Sequence, residues 1–300
     1  MRLVRFDGGR TGILAGDGVV DAAEALPELG PGADWAPLIA DWANRREALE
    51  ALEDGSKPKP LGEVGLEPPL PDPSARIFAM GGNFPMHTAQ TAEKLEIELS
   101  DEVKSEQKDA PPWGFYVIPG TTVGPESEIS PPNGTQRFDY EAEVAVVLTG
   151  DSVSGGDVAI WGYTAWNDFS IRDAAFGLSK VDHGPLTWSL QKNFTSANAA
   201  GPWLVVDDGT DYSDMGIVCR VNGETRQYGN TRDMKYSYGE IAAHISEYLP
   251  LRPGDMILSG TPSGTAMEGG PEGRFLEDGD VTEVQAGESG VLRNRIVLPS

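Results

Sequence analysis

The stretch from Arg137 to Asp173 constrains the fold more than any other part of this chain. It opens RFDYEAEVAVVLTG and closes IWGYTAWNDFSIRD, setting Glu141, Glu143 and Asp168 against a background that is otherwise apolar and strand-like. Residues two apart in an extended strand share a face, so Glu141 and Glu143 point one way and Ala142 the other. Val144, Val146 and Leu148 continue on the face opposite the glutamates, and Ala145 and Val147 lie on the glutamate side. The carboxylates therefore stand at the root of a strand that is apolar on both faces. Two buried anions on one face are costly unless a cation sits between them. A hard divalent metal ion meets that need, with Asp168 at the end of the next strand as a third oxygen ligand.

The rest of the chain supports a β-rich architecture. Strands are expected around Phe115 to Ile118, Glu143 to Leu148, Tyr163 to Asn167, Trp203 to Val206, Ile217 to Val221, Met256 to Ser259, Val281 to Gln285 and Gly290 to Val297. One long amphipathic helix, about Tyr238 to Leu249, interrupts them, and Asn222-Gly223 and Gly279-Asp280 mark tight turns. The fold class is mixed and mainly β, with loops carrying the site. Residues 1–70 read as a small α+β accessory domain. Strands Leu3 to Phe6 and Thr11 to Leu14 flank the hairpin turn Asp7-Gly8-Gly9, and a helix runs from Trp35 to Leu52. The proline-rich run from Lys57 to Arg76 reads as a connector, and residues 71–300 form the catalytic domain.

Charge and composition exclude several functions. The formal charge of −24 is spread as scattered Asp and Glu, which argues against nucleic-acid and anionic-membrane surfaces. It leaves anionic small substrates open, because a metal ion inverts the local field. No stretch approaches the ~18 apolar residues of a membrane span, the N-terminus carries no leader-like segment, and a cytoplasmic enzyme is the expectation. Cys219, the single cysteine, reads as a small core residue. No glycine-rich phosphate loop follows a strand, so nucleotide binding has no support.

Three histidines are available. His87 stands where the Gly81-Gly82 turn becomes a helix, at the base of a polar run ending at Asp109 that reads as a solvated face or a lid. That place suits chemistry better than His183, in the loop VDHGPL, or His244, on the helix GEIAAHISEYL.

Six motifs in order carry a family resemblance: FDYEAEVAVVL, GYTAWNDFSIRD, QKNFTSANAAGPWLV, VNGETRQYGNTRDM, PGDMILSGTPSG and FLEDGDVTEVQAGESGVLRN. Over roughly residues 76–297 they resemble the fumarylacetoacetate hydrolase superfamily. The resemblance implies that Glu141, Glu143 and Asp168 ligate Mg²⁺ or Mn²⁺, and that Lys192 lies beside the metal as a catalytic and substrate-holding cation. It implies that Thr261 contacts a substrate carboxylate, and that Arg172 either serves the substrate or supports the Asp168 turn by pairing with Asp173. His87 falls on the catalytic histidine, and a homodimer is implied. Two departures stand out: Gln90 replaces a glutamate that charges the histidine in acylpyruvate-cleaving relatives, with Glu93 on the wrong helical face, and Ile118 or a neighbour replaces a lysine.

The function expected from this resemblance is metal-dependent chemistry on a small anionic diketo-acid or 2-oxo acid. Hydrolytic C–C cleavage leads, followed by isomerisation, decarboxylation or hydration of an unsaturated 2-oxo acid through a metal-held enolate. From other classes come a catalytically silent binder of metal and metabolite, and a β-rich structural protein whose acidic strand is merely solvated.

Overall fold

The computed structural model describes residues 1–72, 74–96, 108, 110–150, 158–178, 184–206 and 209–299. Its centre is the antiparallel pair Ala142–Leu148 and Ile160–Asp168, whose side chains are buried almost throughout. Valine and alanine dominate the first, as expected of a strand covered on both faces. From one edge the sheet runs Lys59–Pro60, Gly18–Asp21, Arg10–Ala15, Arg2–Phe6, Asn198–Val206, Ile160–Asp168, Ala142–Leu148, Met256–Leu258, Ile77–Gly81 and Trp113–Val117. Leu66–Glu67 pairs beside Arg2–Phe6, and Thr122–Val123 beside Asn198–Val206.

A smaller sheet packs on one face, ordered Glu224–Asn230, Gly216–Val221, Val281–Ala286, Val291–Ile296 and Glu128–Ile129. The alternation read from the sequence decides which core each side chain joins. Val144, Val146 and Leu148 meet Ile217, Cys219, Val284 and Leu292 between the sheets. Ala145 and Val147 join Trp35, Leu38, Ile39 and Leu49 from the N-terminal helices on the other face. The molecule is mainly β with few helices, as expected.

Several elements differ from the sequence reading. The expected helix from Trp35 to Leu52 is two helices, Ala36–Ala40 and Trp42–Gly55, broken at Asp41 (φ −116°, ψ 25°). The break lets Trp42 set its ring edge-on to Trp161, with centroids 5.3 Å apart. The run read as a plain connector supplies the edge strands Lys59–Pro60 and Leu66–Glu67; proline is tolerated at such an edge because it lacks only one ladder donor. Leu3 pairs with Leu204, so one sheet spans residues on both sides of position 70. The strand Glu224–Asn230 was not expected, because an edge strand of sequence ETRQYGN has no apolar alternation. The helix Pro185–Gln191 was also missed, although Pro185 at its first turn is a recognised start signal. The helix expected to reach Leu249 ends at Ser246 and begins with a Ser237–Glu240 capping box.

Candidate active site

The register of the two central strands assembles the acidic cluster. Ala142 lies opposite Asn167, which puts Asp168 beside Glu141, and the Asp168 N–H donates to the Glu141 carbonyl at 2.9 Å. Directly paired residues share a face of the sheet, so the alternation that aligns Glu141 with Glu143 adds Asp168 to the same side. One carboxylate oxygen from each lies within 4.8 Å of the others, and all three residues are buried. Gly260 closes one side by donating its N–H to Glu143 Oε2 at 3.0 Å. Its φ of +78° is a left-handed conformation that favours glycine, and a Cβ there would stand 3.1 Å from Asn83.

Two cations reach the cluster. Lys192 Nζ donates to Glu141 Oε2 at 2.6 Å and to Asp168 Oδ2 at 2.7 Å. It leaves the end of the helix Pro185–Gln191, where Asn198 fixes its carbonyl through Nδ2 at 3.1 Å. Arg172 donates from Nη2 to Glu141 and from Nε to Asp139 Oδ2 at 3.1 Å. The expected Arg172–Asp173 pair is therefore replaced. Asp173 turns instead to the backbone N–H groups of Gln136 and Arg137, at 3.1 and 2.8 Å from its Oδ1.

Asp139 is the hidden member of this network. Fully buried, it accepts from Arg172, from its neighbour Tyr140 N, and from the backbone N–H groups of Ala266 at 2.8 Å and Met267 at 3.1 Å.

The charges do not balance without a further cation. Against the opposing effect of burial, Arg172, Lys192 and His87 hold the Glu141 carboxyl far below its ordinary range. Burial, with Asp168 and Glu141 nearby, pushes Glu143 well up. Asp168 is pushed up to about 7, chiefly by burial and, despite Lys192, by Glu141. Asp168 Oδ1 is buried and has no hydrogen-bond partner. Three carboxylates converging on one point, one with an orphaned oxygen, fit a hard divalent ion.

Facing this cluster across a cavity of about 220 Å³ is His87, in the helix Pro85–Lys94. Its Nδ1 lies 2.5 Å from Glu268 Oε1, the two side chains being 14% and 9% exposed. Glu268 Oε2 accepts the Gly264 N–H at 2.8 Å. Occupation of Nδ1 leaves Nε2 as the ring nitrogen free to exchange a proton with a bound molecule. Glu268, 181 residues away, supplies the anionic partner that Gln90 does not, while Gln90 and Glu93 are exposed.

Thr261 lines the cavity, but its hydroxyl donates to the Ala142 carbonyl at 3.0 Å and accepts from Gln227 Nε2 at 2.8 Å. Gln227 Oε1 in turn accepts the Ala142 N–H at 2.9 Å, bracing the backbone between the two glutamates. Ile118, exposed on its side chain, is held through its N–H by Asn193 Oδ1 at 2.7 Å. His244 is part of a separate groove, its ring edge-on to Tyr248 at 5.4 Å. His183 and residues 97–107 of the expected lid lie outside the described residues. Among the described residues no helix is long and apolar enough to cross a membrane.

Comparison with known proteins adds independent findings. Residues 76–297 match the family described as fumarylacetoacetate (FAA) hydrolase C-terminal. The chain is 31% identical over 267 residues to oxaloacetate tautomerase YisK of Bacillus subtilis, covering 87% of this chain and 81% of the relative. Maleylpyruvate hydrolase from Sphingobium sp. SYK-6, solved with manganese(II) and pyruvate, superposes with a TM-score of 0.74 at 25% identity, covering 100% of both chains. The 2-hydroxyhepta-2,4-diene-1,7-dioate isomerase from Mycobacterium marinum gives a TM-score of 0.62 at 27% identity, covering 82% of each.

Proposed function

This chain belongs to the fumarylacetoacetate hydrolase family, and from that premise we propose that it is a divalent-metal-dependent enzyme moving a proton on a small 2-oxo acid or diketo-acid. The reaction is keto–enol tautomerisation or the related shift of a double bond. The carrying observation is that His87, paired with Glu268, lines the same cavity as Glu141, the member of the Glu141–Glu143–Asp168 cluster that opens on it.

Glu141, Glu143 and Asp168 would hold the ion, Mg²⁺ or Mn²⁺. When bound, it would supply Lewis acidity toward the oxo acid and positive charge to offset the negative charge that develops as the proton leaves. His87 Nε2 takes the proton from the carbon next to the oxo group and returns it to the enolate oxygen, or to a more distant carbon of a conjugated acid. Glu268 fixes the tautomer and stabilises the ring as it becomes cationic. Lys192 adds positive field for the substrate carboxylate. Arg172, engaged by two carboxylates, positions Glu141, and Thr261 shapes the floor.

The same pair favours a second reading, hydrolytic C–C cleavage. In that reaction His87 takes a proton from water, the hydroxide adds to the distal carbonyl, and the bond breaks to an acid and an enolate. The relatives' names divide along the same line, with tautomerase and isomerase on one side and hydrolase on the other.

The test gives metal-loaded protein oxaloacetate, an aryl pyruvate and an acylpyruvate, following enol absorbance and products together. Metal-dependent enol decay without pyruvate release from the acylpyruvate supports proton transfer, and stoichiometric pyruvate and acid support hydrolysis. Turnover of none by the wild-type protein refutes both, as does undiminished turnover by His87→Ala.

A further inference from the structure

The cavity holds a feature that the metal cluster and His87 do not use. Phe115 lies against Lys192, whose Nζ is 5.5 Å from the ring centroid. Trp188 stands edge-on to Phe115 at 5.0 Å, and Trp113 lies 5.9 Å beyond Trp188. All three line the cavity. They form a row leading from the metal end to the rim, where Trp113 is 51% exposed.

The row is built rather than incidental. Trp113 and Phe115 are two apart on the strand Trp113–Val117 and share a face, while Trp188 arrives from the helix that delivers Lys192. Gly81 lies across the ladder from Trp113, and a Cβ there would fall 2.4 Å from Cη2 and Cζ3 of the indole, so any side chain at this position must push the indole aside. Its glycine is a matter of space, so the indole lies flat across the neighbouring strand.

The charges around the cavity point the same way. Arg172 and Lys192 are the cations among its described lining residues, and both are already paired with carboxylates. A substrate carboxylate and oxo group would be taken up at the metal end. A second carboxylate at the far end would meet indole and phenyl faces with no free cation among the described lining residues, and would have to shed its hydration there.

Resting on the proposed function, we infer that the Phe115–Trp188–Trp113 row is the specificity wall of this enzyme. It seats a flat apolar substituent, so 2-oxo acids carrying an aryl or conjugated hydrocarbon tail are preferred over those ending in a second carboxylate.

The experiment compares phenylpyruvate with oxaloacetate on metal-loaded protein, measuring both kcat/KM for enol-to-keto conversion and Kd by calorimetry. The wild-type protein favours phenylpyruvate by about 10-fold or more in Kd. Trp113→Ala and Trp188→Ala each weaken phenylpyruvate binding by about 3- to 10-fold, the size of an aromatic stacking contact, and move the ratio toward unity. Gly81→Ala keeps all three aromatic residues but displaces the indole, and gives the same change; thermal melts establish that each variant is folded. Equal or tighter binding of oxaloacetate by the wild type, or parallel loss of both ligands in the variants, overturns the inference. Selective phenylpyruvate binding without turnover refutes the proton-transfer reading and upholds the wall.

Discussion

Glu268→Gln isolates what the carboxylate gives to His87. The change keeps the side chain's size and an amide oxygen able to accept from Nδ1, so it removes charge rather than shape. A hydrogen bond to a charged group contributes about 1.5–3 kcal/mol, against about 1 kcal/mol for a neutral one. The charged partner therefore adds about 1–2 kcal/mol when the ring carries a proton. With the pair 14% and 9% exposed, little solvent screening reduces that difference. The stabilisation grows only as His87 accepts its proton, so it is lost from the transition state and not from substrate binding. At 1.36 kcal/mol per decade this corresponds to a fall in kcat of about 5- to 30-fold, with KM changed less than about threefold. Steady-state kinetics on a substrate the wild type turns over, with metal affinity measured beside them, give the answer. A kcat within about twofold of wild type refutes the argument. A matching loss of metal affinity would show that Glu268 acts on the fold instead.

Further outcomes follow from the same geometry. Gln90→Glu leaves kcat within about twofold in steady-state assays, because position 90 is exposed and Glu268 already holds the histidine. Arg172→Ala removes one cation from the buried Asp139 and Glu141, which keep backbone N–H donors and Lys192 respectively, a loss of about 1.5–3 kcal/mol, and lowers the calorimetric melting temperature by about 2–5 °C. In chelator, the melting temperature falls as pH rises from about 4 through about 7. Asp168, pushed up to about 7 from an unfolded value near ~3.9, binds its proton more tightly in the folded state, so its stabilising contribution is present at low pH and lost as that proton leaves. Metal binding displaces the proton, so affinity rises over the same window and calorimetry in buffers of different ionisation enthalpy records proton release.

The metal end of the site is legible in the sequence because it is local. Alternation fixes the common face of Glu141 and Glu143, and the next strand's register brings in Asp168. Lys192 and His87 were found through motif resemblance, and the structure brings both to the cavity. Glu268 was not found: it sits in TAMEGGPEG, a run without periodicity, and is a partner only after the chain has folded back on itself. For Arg172 the sequence offers the substrate or its neighbour Asp173, and the carboxylates it does engage, Asp139 and Glu141, are not legible because sequence shows adjacency and not direction. Gln227 was missed with its strand, since polar edge strands lack the pattern that marks buried ones.

Asp139 has a consequence beyond its hydrogen bonds. One of its oxygens helps hold the guanidinium that fixes Glu141, and both grip the start of the turn that carries Glu268. The two working ends are thereby gauged from a single reference point, like two instruments mounted on one post. The imidazole's alignment on the carboxylates is set by the fold itself, before any substrate enters.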